Sequence, residues 1–403
     1  MITVEEAEKI ILSQVKDFGT ESIAFETSLG RVLAEDLIAD RDMPPFNRAT
    51  LDGIAINFDS FKRGIRSFHI NATQAAGDIP VDINDGDECT EIMTGAALPA
   101  TTDTVIGYED INIEDRIASV KAVIINKGHG VHLKGKDKKK DEIVATANQL
   151  ITPVLINMAA SIGKANLLVK KLPKVIVISS GNELVEINEI PSPFEIRRSN
   201  NYMLKAALMK YNLCADMLHI PDDAEITKQK IGGCLTKYDV IILSGGVSMG
   251  KFDYVPQALQ ELSVDKLFHK VKQRPGKPFW FGTHTNGSLV FALPGNPVST
   301  FMCLVRYVLP WLKASIGLPF KENSYAILNE EVAFTPSLQY FMQVKLIINK
   351  NGNLLATPVA GNSSGDFSNL LDADAFMELP LEQNNFTKGQ VFRIWPFKEM
   401  FFL

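Results

Sequence analysis

Apolar residues at Val4, Ala7, Ile10, Ile11 and Val15 recur at the spacing of one helix face. Thr3 and Glu6 before them read as a capping box that opens the helix. On that pattern residues 1 to about 40 are expected to be helical. The period then changes. From "RDMPPFNRATLDGIAIN" to about Val131 come short alternating runs, "GIAIN", "RSFHINA", "TVIGYEDINI" and "ASVKAVII", separated by Gly, Asp and Pro. These predict a β-rich module. "GKDKKKDEIVATANQLITPVLINMAASIGKANL" returns to helical spacing, so the β module reads as an insertion within a helical one. The lysine run Lys134 to Lys140 marks the junction and reads as a solvated face.

From Lys174 strands and helices alternate. "KVIVISS", "ADMLHI", "DVIIL", "KLFHKVK" and "SLVFAL" read as strands. "SNNYMLKAALMKYN", with Ser199 as N-cap, "DAEITKQKIGGCLTKY" and "YVPQALQEL" read as helices. A further helix follows "PGNP", with Asn296 as cap and Pro297 at its first position. Strands apolar throughout and alternating with helices imply a mostly parallel sheet covered on both faces. From about Lys321 the runs "SYAILNEEVAF", "YFMQVKLIIN" and "QVFRIWPF" predict a small C-terminal β domain.

Composition narrows the function classes. A chain of 403 residues is expected to hold several domains with ample cores. Net charge −6 argues against whole-surface attraction to nucleic acid, so any anion site must be local. Cys89, Cys214, Cys234 and Cys303 lie far apart without a CxxC pair, which fits a reducing compartment rather than disulfides or a cysteine zinc site. The start "MITVEEAEKIILSQV" lacks the features of a signal peptide, and no apolar run reaches membrane-spanning length. The expectation is a soluble cytoplasmic protein without a membrane or nucleic-acid partner.

In an open parallel sheet, ligands bind beyond the carboxyl ends of the strands. Five loops would occupy that rim: "SSGNE" (Ser179 to Glu183), "PDD" (Pro221 to Asp223), "SGGVSMGKFD" (Ser244 to Asp253), "RPGKP" (Arg274 to Pro278) and "PGNP" (Pro294 to Pro297). Gly245 and Gly246 let backbone N–H groups approach a phosphate, and Ser244 and Ser248 add hydroxyl donors. The pattern is neither GxGxxG nor a Walker loop. Lys270, Arg274 and Lys277 would supply positive charge for a polyanion. Glu183, Asp222, Asp223 and Asp253 fall on the same rim, where bare carboxylates would repel a phosphate and one another. A divalent cation resolves that conflict, and an oxygen-only donor set suits Mg²⁺ shared with substrate phosphate. Asp223 reads better as a helix cap or a rim charge than as a ligand.

The ordered motifs "MPPFNRATLDGIAI", "EIMTGAALP", "VHLKGKD", "SSGNEL", "SGGVSMGKFD", "QRPGKPFWFG" and "ALPGNPVS" resemble those of the molybdopterin molybdotransferase family. That family includes the bacterial MoeA-type enzymes and the E domain of gephyrin. The likeness runs along essentially the whole chain. It implies a multidomain α/β plus β protein. Its parts would be a discontinuous helical domain (1–40 and 137–171), an inserted β-rich domain (41–136), a doubly wound α/β molybdopterin-binding domain (172–318) and a β-rich C-terminal domain (319–403). It implies a homodimer with the active site between the α/β domain of one subunit and the inserted domain of the other. The implied reaction inserts molybdate into adenylylated molybdopterin, releasing AMP, with Mg²⁺ assistance.

Carried over position by position, the resemblance places functional acids on Asp52, Glu183, Asp222 and Asp253, the last three as metal ligands. It places a threonine on Thr94 and basic residues on Lys270 and Arg274. The pterin phosphate pocket would draw on Ser179 and Gly181, on Ser244, Gly245, Gly246, Ser248 and Gly250, on Pro275, Gly276 and Lys277, and on Pro294, Gly295, Asn296 and Pro297. Ser363 and Ser364 are fourth-domain candidates. The chain departs from the family at His132 and Met342, where arginines are common, and at Arg274, where lysine is. Two other readings share the α/β domain: a pterin-binding carrier or scaffold, and a molybdopterin adenylyltransferase. The family reading also leaves room for transient contacts with such an adenylyltransferase and with molybdoenzymes.

Overall fold

The computed structural model describes residues 1–247, 253–318, 324–359 and 367–398. Contacts divide the chain into two compact units, one of Met1–Ser22, Gly30–Ala34 and Leu168–Leu403, the other of Ile23–Leu29 and Glu35–Leu167.

In the first unit, Val4–Leu12 is a helix opened by the expected capping box. Thr3 Oγ1 accepts from the Glu6 amide at 3.1 Å, and Glu6 Oε2 accepts from the Thr3 amide at 2.8 Å. Its apolar face buries Val4, Ala7 and Ile11 in the largest hydrophobic cluster. At the centre lies a six-stranded sheet in the order Asp216–Ile220, Val175–Ser180, Val240–Ser244, Leu289–Leu293, Trp280–His284, Val264–His269. The first four strands run parallel, as their unbroken apolar character predicts. Trp280–His284, which the sequence offers only as the end of the "QRPGKPFWFG" motif, is a strand antiparallel to both neighbours. Two reversals return Val264–His269 to the direction of the other four, so its carboxyl end lies at the same sheet edge.

Helices cover both faces of this sheet. Ser199–Met209 begins one residue earlier than expected: Arg198, not Ser199, holds the cap position, with no side-chain cap bond. Asp223 caps Ala224–Leu235 through its own carboxylate, the first of the two non-ligand roles open to it. After "PGNP" the helix Pro297–Cys303 passes into a π-helical turn, Leu304–Val308, before Leu309–Ser315. Pro310 cannot donate a backbone hydrogen bond, and the wider turn precedes it.

The C-terminal strands close into a ring. Gln339–Ile348, Leu354–Pro358, Ser324–Leu328, Val391–Pro396 and Ala375–Leu379 pair in succession, and the last returns to the first. Closure leaves no free sheet edge around the cluster that buries Met342 and Met377. The short strand Gln273–Arg274 adds to it in parallel, opposite Gln339 and Tyr340.

The second unit carries a six-stranded sheet in the order Thr104–Gly107, Gly53–Ile56, Glu88–Ile92, Ser67–Gln74, Ile117–Val120, Ile111–Glu114. The helical reading of residues 1–40 and 137–171 holds only for Val4–Leu12 and Pro153–Ser161. Thr152 caps the latter and Pro153 is its first residue, so the helix cannot extend backward through the strand Ile143–Ala145. All four cysteines are free, and burial pushes the Cys89 thiol up to about 12, which keeps it unreactive.

Candidate active site

Four strand ends of the α/β sheet open into one cavity of about 400 Å³. Its wall takes Ser179, Gly181 and Glu183 from the first loop, Asp222 from the second, and Ser244, Gly245, Gly246 and Asp253 from the glycine loop. The loop after Leu289–Leu293 supplies Pro294, Gly295, Asn296 and Pro297. The expected convergence of acids and glycines is therefore present. Ser248 and Gly250, like Ser363 and Ser364, lie outside the described residues.

The glycines have a steric reason. Gly245 sits at φ +97°, and a Cβ there would stand 2.8 Å from the Ser180 carbonyl oxygen. Gly246 sits at φ +68°, with a Cβ position 3.0 Å from Val255 Cγ2. A side chain at either position would force the backbone outward and close the approach to the cavity.

Hydrogen bonds tie the loops together. Asp222 Oδ1 accepts from Ser180 Oγ at 3.2 Å and Oδ2 from the Asn182 amide at 3.3 Å, while Asn182 Oδ1 accepts from the Asp222 amide at 3.0 Å. Asn200 Nδ2 donates to Ser244 Oγ at 2.9 Å and to the Gly295 carbonyl at 2.7 Å, joining the glycine loop to "PGNP". Behind the wall, Ser179 Oγ and His219 Nδ1 lie 3.1 Å apart. Burial and then the Arg198 charge hold the His219 imidazole below its ordinary pKa.

The basic residues are distributed differently from expectation. Pro278 reaches the cavity wall, but Lys270, Arg274, Pro275, Gly276 and Lys277 do not. Lys270 turns the chain out of the strand Val264–His269 at φ +70°. Arg274 joins the C-terminal ring, with its guanidinium 5.9 Å from the Phe334 ring centre. Gly276 is a packing glycine: a Cβ there would stand 2.7 Å from Cys303 Sγ. Among the described residues the cations in the wall are Arg197 and Arg198, with Arg198 paired to Glu186. Sequence reasoning missed them because "EIRRSNN" carries no turn signal or motif. The adjacency of two arginines to a helix start was the available clue.

The second unit holds a smaller constellation. Asp52 Oδ1 accepts from both the Thr94 amide at 2.6 Å and Thr94 Oγ1 at 2.7 Å. The backbone bond first, and the hydroxyl second, hold the Asp52 carboxyl below the usual carboxylate range. Thr94→Val keeps the amide and deletes the hydroxyl, so the Asp52 pKa is expected to rise toward its ordinary value in an NMR titration. An unchanged Asp52 titration would rule out the hydroxyl contact. Because the native pKa is depressed, this contact favours the folded state above the unfolded aspartate pKa and fades as pH falls through the native one. His132 Nε2 lies 2.9 Å from Asp137 Oδ1, and its Nδ1 lies 3.2 Å from Arg48 Nη2, so a guanidinium stands beside this position after all. Met342, 4% exposed, belongs to the core of the C-terminal ring and offers no group to a ligand.

Glycine loops and carboxylates gathered at the strand ends of a doubly wound sheet form the kind of crevice in which open α/β proteins bind small molecules. Residues 176–314 match the family described as a probable molybdopterin binding domain. Residues 2–163 match the MoeA N-terminal region (domain I and II), and 325–397 the MoeA C-terminal region (domain IV). A molybdopterin molybdenumtransferase of Synechocystis sp. is 37% identical over 97% of this chain and 99% of its own length. One of Staphylococcus aureus is 31% identical over 96% of this chain and 94% of its own length. The crystal structure of a molybdopterin biosynthesis MoeA protein from Pyrococcus horikoshii superposes with a TM-score of 0.83 at 28% identity, covering 99% of this chain and all of that one. The chain belongs to the MoeA family of molybdopterin molybdenumtransferases.

Proposed function

We propose that this protein inserts molybdate into adenylylated molybdopterin, releasing AMP and the molybdenum cofactor. The observation that carries the reading is the single cavity in which Glu183, Asp222 and Asp253 face the glycine loops. Glycine amides and the Ser244 hydroxyl bind phosphate oxygens, and Arg197 and Arg198 offset their charge. The dithiolene that receives the metal belongs to the substrate, consistent with free cysteines that take no part in the cavity.

The acids fit Mg²⁺ in kind, being oxygen donors without histidine or cysteine. Among the described residues no group of three or more His, Cys, Asp or Glu side chains is gathered closely enough to hold an ion unaided. Glu183, Asp222 and Asp253 would therefore hold Mg²⁺ together with substrate phosphate, and the ion would supply charge neutralisation at the phosphoanhydride. The Asp52 and Thr94 pair, with Lys270 and Arg274, belongs to the same proposal as the molybdate side of the site. So does a homodimer in which the inserted domain of one subunit completes the cavity of the other, acting in the cytoplasm. The four-domain division, 1–40 with 137–171, 41–136, 172–318 and 319–403, is its structural frame. No helix among the described residues is long and apolar enough to cross a membrane.

Mass spectrometry of the reaction tests the activity. Protein, adenylylated molybdopterin and Mg²⁺ are expected to yield AMP and metallated pterin when molybdate is added. Tight pterin binding with no AMP release would make the protein a carrier, and ATP-dependent adenylylation would place it one step earlier.

A further inference from the structure

The glycine loop leaves the sheet after Val240–Ser244, yet it is held from a strand that is not its neighbour. His269, the last residue of Val264–His269, places Nε2 3.1 Å from the Val247 carbonyl oxygen. In the sheet order Leu289–Leu293 and Trp280–His284 stand between those two strands. Three strand spacings are about 14 Å, so the loop crosses the rim before it meets the histidine.

A carbonyl oxygen only accepts, so Nε2 carries the proton. Burial holds the His269 imidazole below its ordinary pKa, with the Val247 bond working against that shift and the Lys270 and Lys266 charges adding to it. The neutral ring therefore spends its one N–H on Val247, and it takes no place in the cavity wall. The near end of the loop is fixed separately, by Asn200 Nδ2 on Ser244 Oγ at 2.9 Å and by the Gly245 amide on the Leu293 carbonyl at 3.2 Å. Between the two grips lies Gly246, half-buried in the cavity wall, whose amide has no acceptor among the described residues.

We infer that His269 is a positioning residue, which grips the Val247 carbonyl and so fixes the glycine loop with the Gly246 amide set for a phosphate oxygen of the substrate. The Val247 side chain is buried as well, in the cluster that holds Val255, Leu259 and Trp280. Apolar burial has no direction, whereas a hydrogen bond sets the rotation of the peptide that accepts it. The assignment rests on the molybdopterin reading.

The test compares His269→Gln with His269→Asn in the full chain. Glutamine carries an amide N–H at the reach of Nε2, and asparagine carries the same group one carbon short. His269→Asn is expected to raise the KM for adenylylated molybdopterin about fivefold to tenfold, with kcat within about twofold, and to speed hydrogen exchange at the loop amides from Gly245 to Val247. His269→Gln is expected to restore both. A ring that only fills space would make the two variants alike, so equal KM values and equal exchange overturn the assignment, as does a fall in kcat at unchanged KM. Nitrogen-15 NMR of the unaltered protein needs no variant: an Nδ1–H tautomer for His269 also overturns it. Failure of the unaltered protein to bind the adenylylated pterin or release AMP would instead defeat the catalytic reading and the loop's role in it, while an exchange contrast between the variants would leave the grip itself standing.

Discussion

Asp253→Ala is expected to slow AMP release by about 100-fold or more, with circular dichroism checking that the variant folds. Asp253 lies at the end of the glycine loop, in the cavity wall and half-buried, just before the helix Val255–Glu261. It occupies no cap position and lies outside the hydrophobic clusters. Its removal therefore takes away a charge where phosphate and cation would meet. Asp223→Ala is the contrasting case: it deletes a helix cap and should lower stability by about 1 kcal/mol. Turnover by Asp253→Ala at the normal rate would remove the carboxylate rim from the mechanism.

The second large effect is on stability. Arg306 is 1% exposed, with Nη2 2.9 Å from Glu8 Oε2 and Nε 3.5 Å from Glu378 Oε2. Its guanidinium carbon lies 4.3 Å from the Trp395 ring centre. Burial works against the charge, yet Glu378, Tyr307 and Glu8 together hold its pKa above the ordinary arginine value. One cation thus joins the N-terminal helix, the α/β sheet's π-helical turn and the C-terminal ring. Arg306→Ala would remove the cation beside Glu378, which is 10% exposed, and is expected to cost about 3–5 kcal/mol, read as a fall in the urea midpoint. Pairing Arg306→Met with Glu378→Leu should recover much of that loss, because a matched apolar pair leaves fewer charges buried alone. A single Arg306→Ala variant as stable as the parent would show that the buried pair contributes nothing net.

The stability network extends to the "RPGKP" turn. Tyr307 donates its hydroxyl to Gln273 Oε1, and Gln273 Nε2 donates to the Gly276 carbonyl at 2.9 Å. Gln339, opposite Gln273 in the added strand, donates to Glu378. The "RPGKP" turn is therefore gripped from the helix on one side and from the ring on the other. That grip explains why Arg274 faces the C-terminal ring instead of the cavity.

Much of this protein was legible residue by residue. Capping at Thr3 and Asp223, proline at the start of Pro297–Cys303 and the unbroken apolar strands Val175–Ser180 and Val240–Ser244 depend on neighbours a few positions away. Parallel strands put their carboxyl ends at one edge, so the meeting of Glu183, Asp222, Asp253 and the glycines followed from the alternation alone. What the amino-acid order did not disclose was decided through space. Trp280–His284 runs against its neighbours and looks in the sequence like any apolar run, since direction in a sheet is a property of pairing. The same pairing logic drew Gln273–Arg274 onto the C-terminal ring and left Arg197 and Arg198 as the cavity's cations among the described residues. Helical periodicity in residues 137–152 gave way to strand and loop, because Pro153 admits a helix only after it and the ladder at Ile143–Ala145 satisfies the backbone before it. Local turn chemistry and hydrophobic period settle which segments fold and where their loops lie. Long-range hydrogen bonding and burial settle which side chains those loops bring face to face.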